Sequence, residues 1–478
     1  MDIRNKVLSA LRWTAAARFM GQLASWVITI IVIRLLSPSD YGMMAMAVVL
    51  ISFLTLLNTI GLDAVLVQKK DLNEETWRQV FGVVIIVNIL FTTILFLTAS
   101  YIADFYEEPR LTLIIRVLSI EFIFLIFETL PQSRLERDIE FKHRSIAELI
   151  TMVIGSLTTL ALALLGYGVW ALVWGMLVTT ASRMLGLNLI ARNLVWPSFS
   201  LKGMKKNFAF GSFVATDRGL WFLFSETDKF IGGKLLGKQL LGYYVVASHL
   251  ASLPIEKVAG LLNAVAFPAF SHAHASTDKV ADYLLKATRI LSIVSFPVFL
   301  GMSCTAEAII ALVLGEKWLP AAPLLQLLGL VMPFRMISNL FPPLLWGIGR
   351  PGVSATNYLI AAILMPVALY IGANEWSVVG LAYAWLGMYP VIFFITVFRS
   401  CPLVGLNIWK YFAQMLRPVI AGAVMYAAVY GLSLVAIGKP ADWYYLAQLV
   451  AMGAVVYLGV MMLINREGMR ETMELIRR

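Results

Sequence analysis

The chain has 478 residues, 60% of them hydrophobic and only 14% charged, and its mean hydropathy is +0.81. A water-soluble globule uses apolar residues for nearer half of its length and charged ones for about a quarter, so this composition excludes a soluble protein and places the chain in a membrane. The net charge of +10 is explained first by the Lys and Arg that collect on the cytoplasmic loops of membrane proteins, and no nucleic-acid partner is inferred from it.

Arg4, Lys6 and Arg12 precede the first long apolar run. That run continues to about Leu36 and leads straight into another, unlike the short apolar core and small-residue cleavage site of a secretory signal. The first span is therefore expected to stay in the mature protein. Further apolar runs follow at roughly 41 to 62, 80 to 103, 111 to 133, 145 to 166, 168 to 191, 207 to 231, 240 to 268, 283 to 306, 321 to 345, 354 to 373, 376 to 398, 418 to 437 and 443 to 464. Each is near the ~20 residues that cross a bilayer as a helix. None alternates with the period of a barrel strand, and lipid leaves unpaired backbone groups no water. The expected fold is an all-α integral membrane protein with about 14 transmembrane helices.

Leu35-Leu36-Ser37-Pro38-Ser39-Asp40-Tyr41-Gly42 has a counterpart at Leu235-Leu236-Gly237-Lys238-Gln239-Leu240-Leu241-Gly242, and the same offset carries Arg18 onto Arg218. The chain is read as two six-helix lobes, 1–200 and 201–400, followed at 401–478 by two extra transmembrane helices and a cytoplasmic tail. Six helices return a chain to its starting side, so the lobes are parallel repeats about an axis along the membrane normal. With both termini cytoplasmic, the outward loops hold Arg34, Arg110, Lys234, Lys238, Lys317 and Lys439, and the many other loop Lys and Arg face inward. The polar span at 207 to 231 fails a strict hydropathy test. Omitting it, however, would put every later basic cluster on the wrong side.

The ionisable residues at membrane depth are Arg18, Arg116, Glu121, Glu128, Arg183, Asp217, Arg218, Glu226, Asp228, Lys229, Glu256, Lys257 and Arg335. Each costs at least ~2.5 to 3.5 kcal/mol to insert, so a set this large points to a transported polar substrate. Asp217 and Asp228 share one helical face, and Arg218 and Lys229 an adjacent one. Lys257 follows Pro254 and Arg335 follows Pro333, so a break in the backbone hydrogen-bond ladder is expected beside each charge. The opposing reading is that these charges merely pair: four bases in the second half (Arg218, Lys229, Lys257, Arg335) face four acids (Asp217, Glu226, Asp228, Glu256).

Other motifs carry less. Gly232 to Lys238 has the form GxxxxGK, but Gln239 stands where a Ser or Thr would hold magnesium and no strand precedes it. His272 and His274 have a spacing that arises by chance. Cys304 and Cys401 have no metal spacing around them, so neither a metal site nor a disulfide framework is expected. The basic stretch from Arg134 to Arg144 reads as a cytoplasmic anchor near membrane lipid. No DxD pair or large outer domain of a sugar-polymerising enzyme is present.

Arg34-Leu35-Leu36-Ser37-Pro38-Ser39-Asp40-Tyr41-Gly42, Leu66-Val67-Gln68-Lys69-Lys70-Asp71-Leu72, Arg134-Leu135-Glu136-Arg137-Asp138-Ile139-Glu140-Phe141 and Leu314-Gly315-Glu316-Lys317-Trp318 together resemble the signatures of Wzx-type polysaccharide flippases. These are members of the multidrug/oligosaccharidyl-lipid/polysaccharide (MOP) exporter superfamily, and the likeness is to the colanic acid exporter branch. It covers about residues 1 to 400. The resemblance implies two lobes that alternate between inward and outward openings in a bacterial inner membrane. They would move an undecaprenyl-diphosphate-linked oligosaccharide to the periplasmic leaflet for a polysaccharide polymerase and its assembly machinery. Arg18 and Arg218 are then expected to meet the diphosphate, with Lys257 and Arg335 deeper, since a guanidinium can grip two phosphate oxygens. Asp217, Glu226 and Asp228 are the candidates for coupling to an H+ or Na+ gradient, and no cofactor is expected. A drug or cation antiporter of the same superfamily, a membrane polymerase or ligase, and an assembly scaffold are the alternatives.

Overall fold

The computed structural model describes residues 25–59, 61–68, 73–137, 141–191, 195–273, 277–435, 442–466 and 468. Among them every regular element is helical. Arg18 lies outside the described residues, as do His274 and most of the Leu66–Leu72 signature. Lys257 and His272 lie on described helical backbone, but their side chains are outside the description.

The chain enters with α1 (Ser25–Leu35) and α2 (Pro38–Leu57). The Ser37-Pro38-Ser39-Asp40 signature is the cap of α2. The Ser37 hydroxyl accepts the Asp40 N–H at 3.3 Å, the Asp40 carboxylate accepts the Ser37 N–H at 2.9 Å, and Pro38 fills a first-turn position that needs no donor. There follow α3 (Leu62–Gln68), α4 (Glu74–Phe105), α5 (Arg110–Leu118), α6 (Glu121–Arg137), α7 (Phe141–Leu164), α8 (Val169–Ala191) and α9 (Lys205–Ala273). The remainder comprises α10 (Thr277–Cys304), α11 (Ala306–Ile309), α12 (Ala322–Ser338), α13 (Phe341–Gly347), α14 (Pro351–Ser400), α15 (Ile408–Val435) and α16 (Trp443–Ile464).

The chain divides into two compact units. One holds the described residues up to Phe222 with 237–239, and the other holds 223–236 and those from Leu240 onward. In the first unit, α8 packs along α6 and α7. A Cβ on Gly155 would lie 1.8 Å from Thr179 Oγ1, and one on Gly175 would lie 1.8 Å from Thr159 Oγ1. Lipid supplies no hydrophobic drive between helices, so close approach through small residues is what holds such a pair. In the second unit α10 packs on α12 and α15, and α15 on α16. Ile293 joins Ala421, Met425, Val429 and Leu449 in one buried cluster, and the Tyr457 hydroxyl donates to the Ile293 carbonyl at 2.9 Å. The last two helices are thus built into the second unit.

Two of the expected spans contain breaks, and two further turns fall where one expected span meets the next. The run 110–137 is interrupted at Ser119 and Ile120, between α5 and α6, and the run 322–347 at Asn339 and Leu340, between α12 and α13. α9 is bent at Gly237, whose φ of 73° and ψ of 176° suit glycine alone. α14 turns at Trp376 and Ser377, where Ser377 takes a φ of 54°. Nine helical stretches among the described residues are long and apolar enough to cross a membrane. The sequence reading of fourteen is larger because that count treats Pro351–Val404 as one stretch and leaves out the short described part of α1, the interrupted 110–137 run and both limbs of α9. Pro254 and Pro333 each remove one ladder hydrogen bond, and neither ends its helix. Pro333 is inside α12, which continues past Arg335 to Ser338, and Pro254 is inside α9. A proline costs one backbone hydrogen bond, and neighbouring helices can absorb that loss.

Candidate functional site

The second unit buries a carboxylate at its centre. Asp228 on α9 is 3% exposed. Its Oδ2 accepts from the Tyr244 hydroxyl at 2.5 Å and from the Trp385 indole N–H at 3.2 Å, and its Oδ1 accepts the Lys229 backbone N–H at 2.7 Å. The indole also reaches the Tyr244 oxygen at 2.9 Å. Both limbs of α9 and the second limb of α14 therefore converge on one anion. Phe224 and Tyr389 wall it in, with ring centroids 5.7 and 5.9 Å from that of Trp385. Arg335 of α12 lies on the other side of this wall. Its guanidinium carbon is 4.3 Å from the Trp385 ring centroid, a cation–π arrangement worth roughly 0.5 to 2 kcal/mol according to desolvation. No carboxylate pairs with Arg335 among the described residues, although Glu226 is within its electrostatic reach. Glu226 instead forms an ion pair with Lys229, one turn along α9.

The first unit holds a second set. Arg218 presents both terminal nitrogens to Asp63, Nη1 to Oδ1 at 3.3 Å and Nη2 to Oδ2 at 3.0 Å. The Thr59 hydroxyl donates to the same carboxylate at 2.8 Å and fixes its rotamer. A paired guanidinium of this kind keeps three of its five N–H donors. Asp217 has a buried Oδ1 without a hydrogen-bond partner. Lys238 forms an ion pair with Glu108, and Arg183 with Glu128 at 2.7 Å.

The residues expected from the sequence therefore separate. Arg218 and Asp217 belong to the first unit, and Arg335, Glu226 and Asp228 to the second. The two stripes of opposite sign along α9 do not act as stripes: Arg218 turns to Asp63, Lys229 to Glu226, and Asp228 to two aromatic donors. The pairing reading holds for Arg218 and Lys229, and it does not hold for Arg335. Sequence reasoning missed Asp63, Tyr244 and Trp385. Asp63 had one local signal, a threonine a turn earlier, whereas the two aromatics had none. The Leu314–Trp318 signature has a structural role: Gly315 takes a φ of 96° to end one helix, and the next turn buries Trp318 completely.

The all-helical fold, with ionisable side chains buried inside each unit, is shared with solved membrane transporters. The solved lipid II flippase MurJ in an inward closed conformation superposes with a TM-score of 0.74 at 14% identity, over 94% of this chain and 99% of that one. An inward-facing multidrug resistance MATE family transporter of the MOP superfamily gives 0.59 at 13% identity, over 87% and 98%. Within that class, residues 31–323 match the family described as "Polysaccharide biosynthesis protein", and the chain belongs to that family. It is 25% identical to the teichuronic acid biosynthesis protein TuaB of Bacillus subtilis (91% of this chain, 90% of that one). It is 24% identical to the lipopolysaccharide biosynthesis protein WzxC of Escherichia coli (92% and 90%), and 27% to the succinoglycan biosynthesis transport protein ExoT of Rhizobium meliloti (94% and 91%).

Proposed function

We propose that this protein is a flippase that carries a lipid-diphosphate-linked oligosaccharide from the cytoplasmic to the outer leaflet of a bacterial inner membrane, with both termini cytoplasmic. Polymerisation of the delivered units then falls to a separate polymerase. The reading is carried by membership of the polysaccharide biosynthesis family on a transporter fold. Arg335 supports it at the level of chemistry. A diphosphate needs a guanidinium whose donors are not already spent on a carboxylate, and among the described residues Arg335 lies over an aromatic face with no carboxylate paired to it. Arg18, Arg218 and Lys257 are proposed as further substrate-binding groups, each within its own unit. Asp217, Glu226 and Asp228 are the acids proposed to answer an H+ or Na+ gradient, and among them Asp217 has a carboxylate oxygen uncommitted. A cation antiporter would place acids, not Arg335, at its binding face.

The test is leaflet transfer in proteoliposomes loaded with a lipid-diphosphate oligosaccharide, read by an external glycosidase. The intact protein is expected to accelerate transfer over empty liposomes. Arg335→Gln is expected to reduce the rate about tenfold or more, the equivalent of one or two charge-assisted hydrogen bonds. A folded intact protein that matches empty liposomes sinks the flippase reading. Full activity in Arg335→Gln removes that residue from the path.

A further inference from the structure

Glu121 and Glu128 stand two helical turns apart on α6, 6% and 2% exposed. Facing them from α8 are Thr180, whose hydroxyl lies 3.4 Å from Glu121 Oε1, and Arg183, whose Nη2 lies 2.7 Å from Glu128 Oε1. The charge of Arg183 reaches both carboxyls. From α7, Arg144 and Glu148 are within reach of Glu128, but Arg144 is already paired at 2.8 Å with both Glu136 and Glu148. One guanidinium therefore serves two buried carboxyls. Glu121 Oε2, Glu128 Oε2 and Arg183 Nε are all buried without a hydrogen-bond partner.

Two ionised carboxylates in such a place would leave an uncompensated buried charge, which costs several kcal/mol, and protonating one of them removes it. A hard metal ion asks for about six oxygens, and only two carboxylate oxygens are uncommitted here. We propose that Glu121 carries an exchangeable proton, making α6 and α8 of the first unit a proton-binding site. Glu121 is the exchanging group because Glu128 already holds Arg183, whereas Glu121 has only a long hydroxyl contact. With Glu121 protonated, Arg183 pairs with Glu128 as observed. Release of that proton gives Arg183 two equal claimants and pulls it toward the first turn of α6, which begins at the break after Ser119 and Ile120. Protonation of Glu121 thus decides whether Arg183 is held by Glu128 alone or is drawn to both carboxyls. That this change drives transport rests on the flippase reading; the proton site itself does not.

The experiment is infrared difference spectroscopy of the full chain in proteoliposomes, between about pH 5 and about pH 9, following the carbonyl stretch of protonated carboxyls. The intact protein is expected to show a titrating band that Glu121→Gln abolishes. Glu128→Gln frees Arg183 for Glu121 and is expected to shift the titration of that band to lower pH. It also serves where Glu121→Gln does not fold. Leaflet transfer is measured on the same samples, and its pH dependence is expected to weaken in Glu121→Gln. A titrating band unchanged by both substitutions, or no such band in the intact protein, overturns the proposal. Loss of the band without any transfer by the intact protein would keep the proton site and reject the flippase.

Discussion

Asp228 concentrates the physical demand that a low-dielectric interior places on one residue. An ionised carboxylate there must fill its acceptor sites from the protein, and Tyr244, Trp385 and the Lys229 amide supply three donors. Tyr244→Phe removes the shortest of these and is expected to cost about 1 to 3 kcal/mol of stability, read as a lower unfolding temperature of the purified protein. Asp228→Asn keeps an acceptor for both side-chain donors and is expected to cost less. A Tyr244→Phe protein as stable as the parent would show that the hydroxyl contributes nothing to holding the anion. This level of detail was only half legible in the sequence. Asp228 and Arg335 stood out because charge is rare in apolar spans, but their neighbours did not. Trp385 lies 157 positions from Asp228, and Asp63 lies 155 from Arg218; tertiary pairs across such separations leave no periodic trace. In a chain that is 12% aromatic, one tryptophan is not distinguishable from the rest.

At the scale of elements, the sequence marked where helices run better than where they break. Hydropathy reports burial averaged over about twenty residues, so it missed the interruptions at Ser119 and Asn339 inside expected spans, although it placed the boundary beside Trp376. The turn within α14 shows what sets such a break. A Cβ on Gly380 would sit 1.7 Å from the Gly372 carbonyl oxygen, and one on Gly372 would sit 2.3 Å from that of Gly380. The two limbs close backbone to backbone, and the strained Ser377 turn persists because this packing over-determines it. Trp385 is carried one and a half turns beyond Gly380, so the glycine pair also sets the height of the indole beside Asp228. Gly380→Leu is expected to prise the limbs apart and destabilise the second unit by more than Tyr244→Phe does. Gly237→Ala meets no atom within 4 Å, so its cost is confined to backbone strain of about 1 to 3 kcal/mol. Equal melting temperatures for Gly380→Leu and the parent would contradict the close approach.

For the whole molecule, the decisive element is α9, because its polar first limb determines which side of the membrane every later loop faces. Among helices, a segment with Asp217, Arg218, Glu226, Asp228 and Lys229 is a poor candidate to cross on hydropathy alone. Four of these five are nevertheless answered, Arg218 by Asp63, Asp228 by Tyr244 and Trp385, and Glu226 and Lys229 by one another, which lowers the cost that the hydropathy scale assigns to each of them. Satisfied pairing within protein is what lets such a helix cross, and the charge bias of the loops then orients the chain. If both limbs of α9 cross, Lys202 and Lys279 lie on the same side of the membrane and Lys317 on the other. All three are exposed, and the native thiols that would interfere are only Cys304 and Cys401. In a background lacking both, Lys202→Cys and Lys279→Cys are expected to react with an impermeant maleimide in inverted vesicles and Lys317→Cys in right-side-out ones. Labelling of Lys202→Cys and Lys279→Cys from opposite sides would mean that α9 crosses once. The second unit would then be inverted, and Arg335 would have no claim on a diphosphate arriving from the cytoplasm.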